Sequence, residues 1–160
     1  VRLNLERRLS RRNLIVQRDE VNMKVSLAFH IVGIVFWLGG VILLPRILKS
    51  FVEAPALIPA GGAAIKKVFT TFIVPGAIIT LATGIFQLLE GGGVAFYMKQ
   101  HWFHGKATFI IVVLVATVLL NFEVEKVARG IVPSRAKLGA IHGLAAHSLI
   151  VISYMTLTGR

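Results

Sequence analysis

The sequence predicts an all-α integral membrane protein built as an up-down four-helix bundle. Three observations carry this. Hydrophobic residues make up 56% of the 160-residue chain and charged ones only 16%, against roughly 45–50% and about 25% in soluble domains. Four stretches of about 20 residues, the length that crosses a hydrocarbon core at 1.5 Å per residue, are almost free of charge. Short Gly/Pro-punctuated connections separate them, which favours antiparallel neighbours.

The first span, residues 25–45, is uncharged and contains one histidine, His30. A connection with Pro55, Pro59, Gly61 and Gly62 reads as a loop. The second span, 68–89, is uncharged throughout and holds Pro75, where a kink is expected. Gly91-Gly92-Gly93 then stops the helix. The third span, 103–123, carries His104 and Lys106 in its first turn, and Gly130, Pro133 and Ser134 follow it. The fourth span, 138–158, has two histidines and no Lys, Arg, Asp or Glu. A soluble bundle would show a polar face along each helix, and these stretches lack one.

Residues 1–22 form a separate basic segment ahead of the four-helix domain at 23–160. Arg2, Arg7, Arg8, Arg11, Arg12 and Arg18 alternate with apolar residues, and Val1, Leu5, Leu9 and Val16 fall near one helical face. Two readings stay open: a basic amphipathic helix on the membrane surface, or a stretch preceding a natural start at Met23-Lys24. The choice sets topology. Counting the segment, the side shared by the N-terminus, second loop and C-terminus carries ten basic residues against eight. Without it the count is four against eight, and the positive-inside rule reverses the orientation. The net charge of +11 therefore reads as a topology marker. Basic residues scattered over loops on both sides give no nucleic-acid partner; the lipid bilayer is the expected one. There is no Cys, which excludes disulfides, thiolate metal sites and Cys nucleophiles.

Ionisable groups inside lipid are costly and face the bundle interior or a cofactor. His30, Gly33, Trp37 and Gly40 share one face of the first span. Gly76, Thr80, Thr83 and Gln87 make a small-and-polar stripe on the second, and Gly143, His147 and Tyr154 lie near one face of the fourth. The expected interior thus holds His30 and His147, with Trp37 beside them and His104 at the rim. Facing imidazoles of this kind can ligate b-type haem. His142 is five residues from His147, about 140° around the helix, so the two do not share a ligand. Met98, His101 and His104 form an alternative copper-binding group; Phe96, Tyr97 and Trp102 beside them read as an interfacial aromatic belt. Lys106 either snorkels to the surface or meets an acidic group such as a haem propionate. Gly139-x-x-x-Gly143 is a helix-contact motif, compatible with a homo-oligomer. Glu123 and Glu125 do not face each other on a helix, and no catalytic constellation is visible.

Lys24-x5-His30, Phe36-Trp37-Leu38-Gly39-Gly40 and Pro45-Arg46 resemble the first span of two related bacterial membrane families. These are the HemJ-type protoporphyrinogen oxidases and the CopD-like copper-resistance membrane domains. Thr83-Gly84 and Trp102-Phe103-His104-Gly105-Lys106 extend the resemblance, which covers roughly residues 24–123. It implies a four-helix membrane bundle in a bacterial cytoplasmic membrane. The HemJ type implies b-type haem and oxidation of protoporphyrinogen IX to protoporphyrin IX. His30 and His104 would then be the important histidines, and Arg46 and Lys106 would meet porphyrin carboxylates. Two segments depart from the HemJ pattern: Ile47-Leu48-Lys49-Ser50 after Arg46, and Leu120-Asn121-Phe122-Glu123 at the end of the third span. The Asn121 ending and the Trp-Leu-Gly-Gly motif are closer to the CopD-like group. The functional expectations are therefore a haem- or porphyrin-linked oxidoreductase with a porphyrin substrate or a redox partner, a CopD-like copper-handling protein, or a cofactor-free assembly subunit.

Overall fold

A computed structural model describes the backbone of residues 2–158 and side chains from Gln17 onward. The amphipathic face proposed for Val1, Leu5, Leu9 and Val16 lies outside the described side chains. Among the described residues there is no strand. The helices are α1 (Arg2–Glu53), α2 (Ile58–Val68), α3 (Val74–Glu90), α4 (Val94–Tyr97), α5 (His101–Ala128) and α6 (Arg135–Thr158). Four helical stretches are long and apolar enough to cross a membrane: Gln17–Glu53, Pro55–Glu90, His101–Ala128 and Arg135–Thr158.

α1 outlasts the expected span. Pro45 lies inside the helix and is fully buried. The helix ends only where Ala54, at φ −133° and ψ 76°, precedes Pro55. A residue before proline is pushed out of the helical region by the pyrrolidine ring. From Gln17 to Glu53 this gives 37 residues, about 55 Å of helix, well beyond the roughly 30 Å of a hydrocarbon core.

The expected first loop is instead helical. Pro55–Leu57 forms one 3-10 turn and α2 follows at once, with Pro59 in its first turn, where its missing N–H costs nothing. Gly61 and Gly62 are packing residues here. A Cβ on Gly62 would stand 2.6 Å from the Val127 carbonyl oxygen, and one on Gly61 2.6 Å from the Phe51 ring. Gly62 lets α2 sit directly on the end of α5, and Gly61 makes room for the Phe51 ring of α1.

A π-helical turn, Phe69–Ile73, joins α2 to α3, with the Val74 N–H bonded back to the Phe69 carbonyl. Pro75 follows immediately and cannot donate to the preceding turn, so the wider turn rearranges the interrupted ladder. Its consequence is spatial. α2 packs against α5, whereas α3 packs against α1 and makes at most marginal contact with α5. α1 also packs on α6, and α6 on α5. The bundle is thus closed at the α2 end and parted between α3 and α5 at the other.

The core at the closed end comprises Val41, Leu44, Leu48, Leu120, Val124, Leu138 and Ile141, all buried. α1 and α3 cross closely. A Cβ on Gly76 would lie 2.7 Å from the Trp37 backbone nitrogen, and one on Gly33 2.6 Å from Thr80 Oγ1. Outside, Phe29, Val35, Ile78, Ile111, Val118 and Ile150 are among many large apolar side chains left exposed on all four spans. Water would not tolerate that surface and lipid requires it.

Candidate functional site

Where α3 and α5 part, a cavity of about 700 Å³ opens between α1, α3, α5 and α6. That volume lies within the usual range for small-molecule sites. Ile34, Trp37, Ile110 and Val113 line its inner end, and Tyr97, Trp102 and Phe103 line the end toward α4. These three aromatics form one cluster, with ring centroids 6.0 Å apart for Tyr97–Trp102 and 5.7 Å for Tyr97–Phe103. The turn that brings Tyr97 there depends on Gly92 and Gly93, at φ +127° and +79°, a region that other residues rarely adopt.

Two nitrogenous groups share this apolar space. The first is His30. Thr83 Oγ1 donates its proton to the Ile79 carbonyl at 2.6 Å. Its 2.9 Å contact with His30 Nδ1 is therefore one in which the ring nitrogen donates. With Nδ1 protonated, the neutral imidazole keeps its lone pair on Nε2. Gly84 leaves room for the ring: a Cβ there would stand 3.2 Å from His30 Cε1. The Thr83-Gly84 pair thus orients one side chain through two adjacent residues. The second group is Lys106, half-buried on the first turns of α5. Among the described residues it makes no ion pair. An ammonium in apolar surroundings without a counter-charge favours an anionic ligand.

The remaining polar lining is sparse. Thr80 donates to the Gly76 carbonyl at 2.8 Å, and Gln87 reaches Ser26 across the α1–α3 contact at 3.4 Å. Trp37, almost fully buried, donates from Nε1 to Thr117 Oγ1 at 2.9 Å. That bond fixes its indole plane at the cavity wall.

Of the residues singled out in the sequence, His30, Lys106 and Trp37 border one cavity. The other candidates do not join them. His104 is exposed and donates from Nε2 to the Met98 carbonyl at 2.9 Å. His147 faces outward against the Phe109 ring, at a centroid distance of 5.9 Å. The whole Gly143–His147–Tyr154 face is exposed, because Leu138, Ile141, Ala145 and Ser148 occupy the inner face of α6. His147 is therefore not an interior residue as expected. Arg46 lies at the opposite end of α1, against His142. Met98 and His101 are both exposed, and no group of three or more His, Cys, Asp or Glu able to hold a metal ion occurs among the described residues.

Some structural residues had no strong signal in the sequence. Glu123 is 1% exposed. It accepts from Lys126 Nζ at 2.6 Å and from the Ser134 backbone N–H at 2.7 Å, and so ties the start of α6 to α5. Glu125 pairs across to Lys66 of α2 at 2.8 Å. Neither carboxylate borders the cavity.

Fold and site together define a class: a multi-pass, all-α membrane protein with a histidine- and lysine-bearing apolar cavity between its helices. Among curated proteins, the chain is similar to a protoporphyrinogen IX oxidase of Synechocystis sp. (strain ATCC 27184 / PCC 6803 / Kazusa), 26% identical over 111 residues. The match covers 64% of this chain and 51% of the relative, so the chain spans about half the length of the protein it matches. No family model matches the sequence, and no solved structure matches it. The relative is of the kind that the sequence motifs resemble at family level.

Proposed function

We propose that the cavity receives a tetrapyrrole and that the protein acts in porphyrin-linked redox chemistry, as an oxidoreductase of the protoporphyrinogen oxidase kind. One observation carries this reading. An imidazole with a free Nε2 and an unpaired ammonium border the same apolar space of about 700 Å³. A porphyrin offers the complement, a broad apolar ring with carboxylates at one edge. Lys106 would take a carboxylate in a charge-assisted hydrogen bond, roughly twice as strong as a neutral one. His30 Nε2 would accept a proton from the ring system, and Thr83 would stabilise the imidazolium through Nδ1–H. Tyr97, Trp102 and Phe103 would stack on or edge the ring and exclude water. The similarity to a protoporphyrinogen IX oxidase of Synechocystis supports the same substrate class.

The residues also fit a b-type haem held from one side. His30 Nε2 is the one imidazole nitrogen the cavity offers among the described residues, since His104 and His147 face outward. A haem held there by His30 and by Lys106 at a propionate would supply one-electron transfer.

The reduced-minus-oxidised visible spectrum of the purified protein tests the haem reading. The expected result is a haem signal lost in His30→Ala and preserved in His104→Ala and His147→Ala. Loss in either outward variant, with His30→Ala unaffected, would refute the assignment.

A further inference from the structure

The seam between α1 and α6, at the end of the bundle away from His30, holds cations that no described group neutralises. Three pairs of positions meet along it in antiparallel register. Arg135 Nη2 lies 3.6 Å from Glu53 Oε1. Lys49 Nζ lies 4.0 Å from where a Cβ on Gly139 would stand. Arg46 donates from Nε and Nη2 to His142 Nε2 at 3.3 and 3.2 Å. His142 in turn donates from Nδ1 to the Ile42 carbonyl at 2.8 Å. The ring is therefore neutral, and its single free lone pair holds one edge of the guanidinium. The other guanidinium N–H groups remain available.

The acidic residues at this end all pair with other cations. Glu53 pairs with Arg135, Glu123 with Lys126, and Glu125 with Lys66 and Arg129. Arg46 and Lys49 form no ion pair among the described residues. They sit three positions apart, which places them on one face of α1. Arg46 directly follows the uncharged stretch 25–45, and a long basic side chain at the end of such a stretch reaches toward the headgroup region. Leu43 and Ile47 beside it are exposed, at 58% and 40%.

We propose that this seam binds the phosphate of an anionic phospholipid. The guanidinium fork suits two phosphate oxygens, Lys49 adds a point charge, and the bare backbone at Gly139 leaves the headgroup space. Leu43 and Ile47 give its acyl chains an apolar track that a free anion would not use. Basic pockets between membrane helices recognise acidic headgroups by this chemistry.

Native mass spectrometry of the full chain with added phosphatidylglycerol, and separately phosphatidylcholine, tests the proposal. Wild type should retain phosphatidylglycerol in preference. Lys49→Gln, which breaks no described hydrogen bond, should weaken that retention about five-fold with an unchanged circular-dichroism spectrum. Combined Arg46→Gln and Lys49→Gln should weaken it more than twenty-fold, each cation counting about equally. Lys67→Gln, an exposed and unpaired cation on α2, should leave it unchanged. Full retention by Lys49→Gln would overturn the site. Equal weakening by Lys67→Gln would reduce it to general surface charge. Displacement of the lipid by millimolar inorganic phosphate would show a free-anion site in its place.

Discussion

At the scale of single residues, the cavity depends on how one imidazole is held. Thr83 commits its own proton to Ile79 and leaves His30 Nδ1 as the donor. Thr83→Val removes the acceptor and frees the ring to flip or change tautomer, whereas Thr83→Ser keeps it. In the proposed function, Thr83→Val should therefore shift the haem absorbance or weaken porphyrin binding severalfold, and Thr83→Ser should restore both. A titration followed by visible absorbance checks this. An unchanged titration in Thr83→Val would mean that His30 needs no such orientation. Glu123 makes a contrasting prediction. Glu123→Ala leaves the Ser134 N–H without its acceptor and should cost about 1–3 kcal/mol of stability. Thermal unfolding should register the loss, while ligand affinity stays unaltered because Glu123 lies outside the cavity.

At the scale of helices, the turn at Phe69–Ile73 together with Pro75 divides the second span into two halves with different neighbours. One half closes the bundle on α5, and the other leans on α1 and opens the cavity. The α1–α3 crossing that supports the open end relies on small residues. Gly76→Val would drive side-chain atoms into the Trp37 backbone and the Phe36 side chain, 2.7 and 2.8 Å from where a Cβ would stand. Overpacking of this kind costs about 1–3 kcal/mol. The expected outcome is a lower unfolding midpoint and altered fluorescence of Trp37. Wild-type stability in Gly76→Val would contradict the close crossing.

The elements were legible to different degrees. The four spans follow from the absence of charge over 20-residue stretches, because lipid leaves no other place for such sequence. Their ends were less legible. Pro55, Pro59, Gly61 and Gly62 carry loop chemistry, yet tight packing against Phe51 and Val127 makes the same glycines suitable for a helix contact. Pro45 has a similar ambiguity, since buried helices in a bundle can absorb a missing hydrogen bond.

For the whole molecule, the decisive ambiguity was inside against outside. In water, a helix shows its inner face by its apolar stripe. In lipid the outer face is apolar too, so the sequence of α6 places His147 on a face without saying which way that face points. Its outward position follows from the rotation that packs Ala145 and Ser148 against the core. His30 was legible for a different reason: Gly33, Trp37 and Gly40 share its face, and small residues mark a close helix approach. Lys106 was ambiguous until the parting of α3 from α5 put a cavity beside it. The charges tell a related story. Among the residues whose side chains are described, most cations lie at the closed end, where Glu53, Glu123 and Glu125 lace the helix ends together and leave Arg46 and Lys49 without an ion pair.

The protein's two tryptophans, Trp37 and Trp102, both border the cavity. Quenching of their fluorescence by protoporphyrin IX therefore reports directly on whether a tetrapyrrole enters it. Wild type in detergent should show saturable quenching, weakened about ten-fold or more in Lys106→Met through loss of the charge-assisted bond and retained in His104→Ala. Absence of saturable quenching in wild type, or the same affinity in wild type and Lys106→Met, would contradict the account.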